Sequence, residues 1–357
     1  MKKILIVDDS ALMRRVLCDI IESDSRFQVE DMATNGLEAL ELLEKKTYDA
    51  VVLDVNMPKM DGISLLRELH KRKISCRIMM ASTDTREGAK VTLDALDLGA
   101  LDFIHKPSNA FDCKESRFKD KFLGLLEGVC LSKPATCEPA ITLESIKTTR
   151  KVVELASKHA VKASSGSKIV AIASSTGGPK ALQSVIPKLP ANLAAPVLLV
   201  QHMPAGFTAS LAERLDSLSE VKVTEAKEGD VLEPGHVYLA QGGKHMNVLT
   251  MASKHTIHYS DEPSREGVKP CANYMYESLM SAKADEIVCV VMTGMGADGT
   301  EGIGNLKEKK NIYVITQTEE TCAVYGMPKA AVKKGLSNLQ VPLDQIAQEI
   351  VLNVGVR

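Results

Sequence analysis

Short apolar runs alternate with helix-like segments along most of this chain, and this alternation restricts the folds it can adopt. In the first 107 residues the strand-like runs are ILIVDD, QVEDMAT, DAVVLD, RIMMAS and ALDFIHK. Helices are predicted from Ser10, after Asn35-Gly36, after Asp61-Gly62, from Glu87 and over roughly 110–128. Strands separated by helices pair in parallel and are covered on both faces. The pattern therefore predicts a flavodoxin-like, five-stranded parallel α/β domain.

The same alternation resumes at Lys168 and predicts a second α/β domain. Its strand-like runs are KIVAIASS, APVLLVQH, EIVCVVMTG and NIYVITQT, with a hairpin predicted through HVYLAQGGKHMNVLTM. We expect a doubly wound α/β/α domain with a mostly parallel sheet and a small antiparallel hairpin. Residues 129–166 are rich in Lys, Ser, Thr, Glu and Pro, which is typical of a linker, although 141–160 can form an isolated helix. The predicted division is a first domain at 1–128, a linker at 129–166 and a second domain at 167–357.

Composition excludes several classes of protein. The chain has 44 basic and 46 acidic residues, so it lacks the positive charge typical of proteins that bind nucleic acid or anionic membranes. Its eight cysteines include no C-x-x-C pair, which favours reduced thiols over a disulfide framework or a zinc site. No signal peptide is evident and no run of about 20 apolar residues occurs, so a cytoplasmic protein without membrane insertion is expected.

Acidic residues follow two strands of the first predicted sheet. Asp8 and Asp9 end the first strand and Asp54 ends the third, so their carboxylates can converge in one crevice. Carboxylates at such short separation repel one another unless a hard cation such as Mg²⁺ lies among them. Lys106 and Ser82 end the fifth and fourth strands and can reach the same crevice. The alternative is that these residues are only strand-end caps and turn residues.

Three groups with the chemistry of acyl transfer end apolar runs in the second predicted domain. They are Ser175, His202 and Asp298. A hydroxyl needs an imidazole to take its proton and a carboxylate to orient that imidazole, so the three predict a triad at one edge of the sheet. The glycine turn after Ser175 offers backbone N–H groups that can bind an oxyanion. Alternatively, Ser175 caps a helix and His202 is a packed histidine.

A competing interpretation comes from the glycines around Asp298. Residues Gly294 to Gly299 spell G-x-G-x-x-G, and Glu319 and Glu320 lie about 20 residues further on, as in dinucleotide-binding loops. Against this, Asp298 would place a negative charge where a pyrophosphate should bind.

The first domain resembles the receiver domains of two-component response regulators. The resemblance lies in V-D-D at 7–9, L-D-V-N-M-P-K-M-D-G at 53–62 and K-P at 106–107. It implies that Asp54 is the phosphoacceptor, that Asp8, Asp9 and Asp54 bind Mg²⁺, and that a histidine kinase is the phosphodonor. Ser82, Phe103 and Lys106 are implied to be the residues that switch with phosphorylation. Asn56 replaces an acidic residue that is common at this position.

The second domain resembles the catalytic domain of chemotaxis protein-glutamate methylesterases, CheB. The motifs are A-S-S-T-G-G-P at 173–179, Q-H-M-P-A-G-F-T at 201–208, P-G-H-V-Y-L-A at 234–240, T-G-M-G-A-D-G-T-E-G at 293–302 and G-M-P at 326–328. The resemblance implies a monomeric hydrolase that removes methyl groups from glutamate esters of chemoreceptors and deamidates receptor glutamines. Ser175 would be the nucleophile, His202 the base, Asp298 its partner, and Met295 and Thr176 the oxyanion hole. The resemblance also implies that the esterase reaction needs no cofactor and that phosphorylation of the receiver domain activates it.

This chain departs from the methylesterase pattern at two places. Ala173 and Ser174 replace a glycine and an alanine before the nucleophile, and K-P-C-A-N-Y-M at 269–275 replaces P-S-V-D-V. We expect the substitutions at Cys271 and Asn273 to affect substrate contacts near residue 270. Two other hypotheses remain open here: a second domain that binds a dinucleotide or a partner without catalysis, and a degenerate hydrolase fold that serves only as a scaffold.

Overall fold

A computed structural model describes residues 1–83, 86–107, 113, 116–133, 166–252 and 254–357. The chain forms two compact units, Met1–Ala140 and Ile141–Arg357. The helix predicted at 141–160 and most of the predicted linker lie outside the described residues.

The first unit contains a five-stranded parallel sheet, as the alternation predicts. Its strands are β1 (Lys2–Val7), β2 (Phe27–Ala33), β3 (Ala50–Asp54), β4 (Ile78–Thr83) and β5 (Asp102–Lys106). Its helices, among the described residues, are α1 (Ala11–Glu22), α2 (Gly36–Lys45), α3 (Gly62–Arg72), α4 (Arg86–Asp97) and α5 (Ser116–Leu131). The strand order is β2-β1-β3-β4-β5, so the ends of β1 and β3 are neighbours. This order brings the residues after β1 and β3 to one edge.

Side-chain caps explain why three helices start where the sequence predicts. Ser10, Asn35 and Asp61 each accept a hydrogen bond from a backbone N–H in the first turn of α1, α2 and α3. Such caps satisfy N–H groups that have no partner within the helix. The last helix of this unit ends at Leu131 rather than near 128, because Val129 and Cys130 continue its buried face.

The second unit is built on a seven-stranded parallel sheet with a separate hairpin. Its strands are β6 (Lys168–Ser174), β7 (Val197–Gln201), β8 (Lys222–Glu225), β9 (His236–Leu239), β10 (His245–Met251), β11 (Lys254–Ser260), β12 (Glu286–Val291), β13 (Ile312–Gln317) and β14 (Leu339–Val341). Its α-helices are α6 (Gly178–Val185), α7 (Phe207–Leu218), α8 (Ala272–Ser278), α9 (Thr300–Lys307), α10 (Met327–Lys333) and α11 (Ile346–Val354), with short 3₁₀ turns at Ile186–Lys188, Leu279–Ser281 and Leu343–Gln345. The order is β14-β13-β12-β6-β7-β9-β8.

The strand order reverses at the centre of this sheet. The chain adds β7 on one side of β6 and returns later to place β12 on the other side. Doubly wound sheets form their crevice where the order reverses, outside the carboxyl ends of the strands. Residues that follow β6, β7 and β12 therefore lie at this point.

The predicted hairpin is present, but at a different position. The sequence suggested that His236–Leu239 pairs with the following strand, whereas β9 lies in the main sheet between β7 and β8. All four residues of β9 are buried, as expected of a strand covered on both faces. The antiparallel pair is β10 with β11, and His245 lies opposite Ser260.

Two negative predictions concern membranes and disulfides. Within the described part of the chain, no helix is long and apolar enough to cross a bilayer. Cys18, Cys76, Cys113, Cys130, Cys271, Cys289 and Cys322 are free thiols.

Candidate active site

The strand order brings the three predicted acyl-transfer residues to neighbouring strand ends. Ser175 directly follows β6 and His202 directly follows β7, which pairs with β6 up to Ser174 and Gln201. Asp298 lies in the loop between β12 and α9, on the other side of β6. The nucleophile candidate therefore follows the central strand, and the other two groups approach from its two neighbours.

Ser175 occupies a tight turn between β6 and α6. Its N–H donates to the carbonyl of Thr293 at 3.0 Å, and its carbonyl accepts from Gly178 at 2.7 Å. The turn needs a left-handed residue, supplied by Gly177 at φ +75°. Gly294 allows close approach from the other side, since a Cβ there would lie 2.7 Å from Ser175 Cβ. Ser174 does not compete as nucleophile, because its fully buried hydroxyl donates to Gln201.

His202 and Asp298 form a buried pair. Nε2 of His202 and Oδ2 of Asp298 are 2.7 Å apart, and their side chains are 10% and 3% exposed. In the familiar serine-protease arrangement, Nε2 of the histidine faces the nucleophile. Because Asp298 binds Nε2, the nitrogen left for a nucleophile is Nδ1. Among the described residues, Ser175 Oγ has no hydrogen-bond partner in this structure.

Asp298 is surrounded by hydrogen-bond donors that sequence reasoning did not identify. Oδ1 accepts from the Cys271 thiol at 3.0 Å, from Asn273 N–H at 3.0 Å and from its neighbour Gly299 N–H at 2.9 Å. Oδ2 accepts from Ala272 N–H at 2.6 Å as well as from His202. We call these donors the carboxylate cage. Cys271 and Asn273, which we expected to affect substrate contacts, contact Asp298 in this structure.

The carboxylate cage also sets the charge of Asp298. Burial alone would raise the pKa of this carboxyl group, but the hydrogen bond and electrostatic interaction with His202, with the donors Cys271 and Ala272, lower its pKa to about 2. Burial and the adjacent carboxylate raise the pKa of the Cys271 thiol, which keeps it protonated as a donor. Asp298 is thus a fixed anion at neutral pH.

Two backbone N–H groups near Ser175 have no acceptor among the described residues. In the part of the chain that the structure describes, neither Thr176 N–H nor Met295 N–H donates a hydrogen bond. Thr176 follows the nucleophile candidate, and Met295 follows Gly294, which packs against it. These are the two positions that the sequence predicts for an oxyanion hole.

The loop from Gly294 to Gly299, which the competing interpretation assigns to dinucleotide binding, instead carries the carboxylate that binds His202. The carboxylate of Asp298 lies within it and is bonded to His202, and Gly299 N–H is bonded to Asp298 and to Asn273. That N–H is therefore already engaged and is not available to a phosphate.

A second cluster of charged groups lies in the first unit. Lys106 Nζ is 2.9 Å from Asp8 Oδ2 and 2.8 Å from Asp54 Oδ1, and all three residues are buried. Ligand atoms of Asp8, Asp9 and Asp54 lie within 4.8 Å of one another, and Asp9 is exposed. Burial raises the pKa of Asp54 despite Lys106. Burial would lower the pKa of Lys106, but the charges of Asp54 and Asp8 outweigh it and raise it.

Ser82 and Phe103 lie on the two strands next to this cluster. Ser82 is 1% exposed near the end of β4, and Phe103 is 4% exposed on β5. In the register of these strands, Ser82 lies opposite His105, the residue before Lys106. Two of the three predicted switch residues, Ser82 and Phe103, are thus buried in the half of the sheet that carries the third, Lys106.

Comparison with known proteins gives matches for both units. The family model described as CheB methylesterase matches residues 170–350, and the one described as response regulator receiver domain matches residues 4–116. The chain is 44% identical to the protein-glutamate methylesterase/protein-glutamine glutaminase of Pyrococcus horikoshii over 350 residues, which is 98% of this chain and 92% of that protein. It is 41% identical to the Bacillus subtilis protein of the same name, over 98% of each.

A solved structure matches the second unit. The crystal structure of the Thermotoga maritima CheB methylesterase catalytic domain is 39% identical, with a TM-score of 0.50. It covers 52% of this chain and 97% of that domain.

Proposed function

The chain belongs to the CheB methylesterase family and carries a response regulator receiver domain ahead of the esterase domain, and on this premise we propose that it hydrolyses glutamate methyl esters of chemoreceptors. The observation that carries the proposal is the buried pair of His202 Nε2 and Asp298 Oδ2, 2.7 Å apart, beside the strand end that bears Ser175. An ester hydrolase of the serine type needs this combination of hydroxyl, imidazole and carboxylate.

In the proposed mechanism Ser175 Oγ attacks the ester carbonyl carbon while its proton passes to Nδ1 of His202. Nδ1 is assigned because Asp298 holds the Nε2 proton. The tetrahedral intermediate then expels methoxide, which takes the proton from Nδ1 and leaves as methanol. Water attacks the acyl-enzyme in the same way and releases the glutamate carboxylate and the serine hydroxyl.

The oxyanion of each intermediate would be bound by the free N–H groups of Met295 and Thr176. A single such donor is worth about 3 kcal/mol of transition-state stabilisation in comparable hydrolases. A receptor glutamine follows the same route with ammonia as the leaving group, so glutamine deamidation is part of the proposal.

The receiver domain is proposed to regulate the esterase through phosphorylation of Asp54. Asp8, Asp9 and Asp54 would hold Mg²⁺, and their clustered carboxylate oxygens fit the preference of this ion for oxygen ligands. When bound, the cation neutralises negative charge on the incoming phosphoryl group. Lys106 would pair with the phosphoryl oxygens, while Ser82 and Phe103 would change position in response.

Partners follow from this assignment. We propose a chemotaxis histidine kinase as phosphodonor, methylated chemoreceptors as substrates, and the cytoplasm as location, where the free thiols of the described residues would stay reduced. The unphosphorylated receiver domain is proposed to inhibit the esterase, because the two folded units are joined by a linker-like segment. Deletion of residues 1–140 should then raise the methanol release rate; an unchanged rate would contradict inhibition.

The esterase is tested by methanol release from methylated receptor membranes. Ser175→Ala should abolish release and also abolish covalent labelling by a small organophosphonate. Ser184→Ala serves as the matched control and should retain both, because Ser184 lies in α6, the helix that follows the turn, and its Oγ donates to the carbonyl of Lys180. Near-normal turnover by Ser175→Ala would refute the nucleophile assignment.

A further inference from the structure

The side chain of Gln201 connects the two strand ends that carry Ser175 and His202. Gln201 is the last residue of β7 and is 2% exposed. Its Nε2 donates to the carbonyl of Ser175 at 3.0 Å and to the carbonyl of His202 at 3.2 Å. Its Oε1 accepts from Ser174 Oγ at 2.7 Å. We call this set of hydrogen bonds the Gln201 bracket.

The Gln201 bracket lies where the sheet stops holding the two strands together. Ser174 and Gln201 are the last paired residues of β6 and β7, and the N–H of His202 makes the last backbone bond between the strands, to Ser174. Beyond this point the carbonyls of Ser175 and His202 share no sheet partner. The amide of Gln201 donates to both carbonyls, so it links the two chain segments where no backbone hydrogen bond of the sheet does so.

The start of α6 leaves room for this amide. A Cβ at Gly178 would lie 2.0 Å from Oε1 of Gln201, so any other residue at this position would displace the amide. Gly178 N–H also donates to the carbonyl of Ser175 that Gln201 binds. The turn around the nucleophile and the amide are therefore packed as one unit.

The separation of the two reacting side chains depends on the backbones that carry them. Within the described residues no hydrogen bond joins Ser175 Oγ to His202, so their contact does not fix the distance. Displacement of a reacting group by about 1 Å can reduce a rate by about 100-fold. A group that sets the spacing of the two backbones therefore affects the rate without touching substrate.

We propose that Gln201 is a positioning residue that fixes Ser175 Oγ relative to Nδ1 of His202 by binding both backbone carbonyls. This inference rests on the proposed serine-esterase function. It makes Gln201 necessary for acylation and not for receptor binding.

The test is Gln201→Met in the full chain, because methionine keeps the length of the side chain and removes the amide. Methanol release should show a kcat lower by about 100-fold at unchanged KM. The rate of labelling by a small organophosphonate, which needs no receptor contacts, should fall by a similar factor. Gln183→Met is the matched control: Gln183 is also a buried glutamine, and its Oε1 accepts from Arg214 Nε at 3.2 Å. It should keep the wild-type kcat and labelling rate.

A second variant guards against a Gln201→Met protein that does not fold. Gln201→Glu keeps the shape and can donate at most one hydrogen, so its kcat and labelling rate should fall while KM stays unchanged. Thermal unfolding of each variant shows whether the assays are made on folded protein. A folded Gln201 variant with wild-type kcat and labelling rate would overturn the positioning role, as would a rise in KM alone. Failure of the esterase proposal looks different, because Ser175→Ala would then be labelled as fast as the wild type.

Discussion

Replacing Asp298 by asparagine keeps the size of the side chain and removes its charge. The carboxylate accepts hydrogen bonds from His202 and from all members of the carboxylate cage. Asparagine offers one acceptor oxygen, so its NH₂ group must face donors on one side. If it faces His202, Nε2 loses the partner that keeps it protonated and Nδ1 ceases to be the free base.

The cost in stability follows from the pKa of Asp298. This pKa is about 2 in the folded chain against an ordinary value of 3.8, and a depressed folded-state pKa stabilises the fold above the unfolded value. The shift corresponds to about 2 kcal/mol at pH 7, which the wild type loses as the pH falls from about 4 towards 2. Asp298→Asn should therefore be less stable by about 2 kcal/mol at pH 7, and the difference should shrink below pH 4.

Amide hydrogen exchange of peptides from β6 and β12 measures this difference locally, which suits a two-domain chain without tryptophan. Methanol release should fall by about 10⁴-fold, the scale of losing the correct imidazole tautomer in a triad. Ser217→Ala, which changes an exposed residue of α7, is the control for nonspecific effects of substitution and purification, and it should match the wild type. Exchange free energies equal to those of the wild type at pH 7, or a rate within tenfold, would refute the role assigned to the cage and its anion.

Further predictions concern the cage, the nucleophile turn and the receiver site. Cys271→Ala removes a donor to Asp298 and should lower the stability of the esterase domain by about 1 kcal/mol, measured by hydrogen exchange. Cys271→Ser keeps a donor and should be nearly as stable as the wild type. Equal losses of stability in the two variants would show that packing alone matters. Gly294→Ala places a Cβ 2.4 Å from Met327 Sδ and 2.7 Å from the nucleophile's Cβ, so organophosphonate labelling should slow at least tenfold. Asp54→Asn should abolish stimulation of methanol release by acetyl phosphate and Mg²⁺, and stimulation that persists would place the phosphoacceptor elsewhere.

Local signals in the sequence explain why much of the first unit was predicted. Ser10, Asn35 and Asp61 are strong helix caps directly before amphipathic segments, and the apolar runs of buried parallel strands are continuous. The same logic located Ser175 and His202, because each directly ends such a run.

Long-range pairing and atomic contacts were beyond the sequence pattern. The run at His236–Leu239 suits a hairpin strand or a buried strand equally, and only the space between β7 and β8 decides in favour of the main sheet. The choice of Nε2 for Asp298 depends on how the loop after β12 approaches His202. The segment around Cys271 reaches Asp298 through a fold contact 27 positions apart in sequence, which no local motif records.

The reversal of strand order at β6 and β12 has a consequence for how activity can be lost. The three reacting groups follow β6, β7 and β12, which are neighbouring strands in the middle of the sheet, away from its edge strands. Heat or denaturant that unfolds only the edge strands should leave the rate of methanol release unchanged until the central strands separate. Activity should then be lost at the same temperature or denaturant concentration at which the central strands unfold, with no inactive but folded form in between.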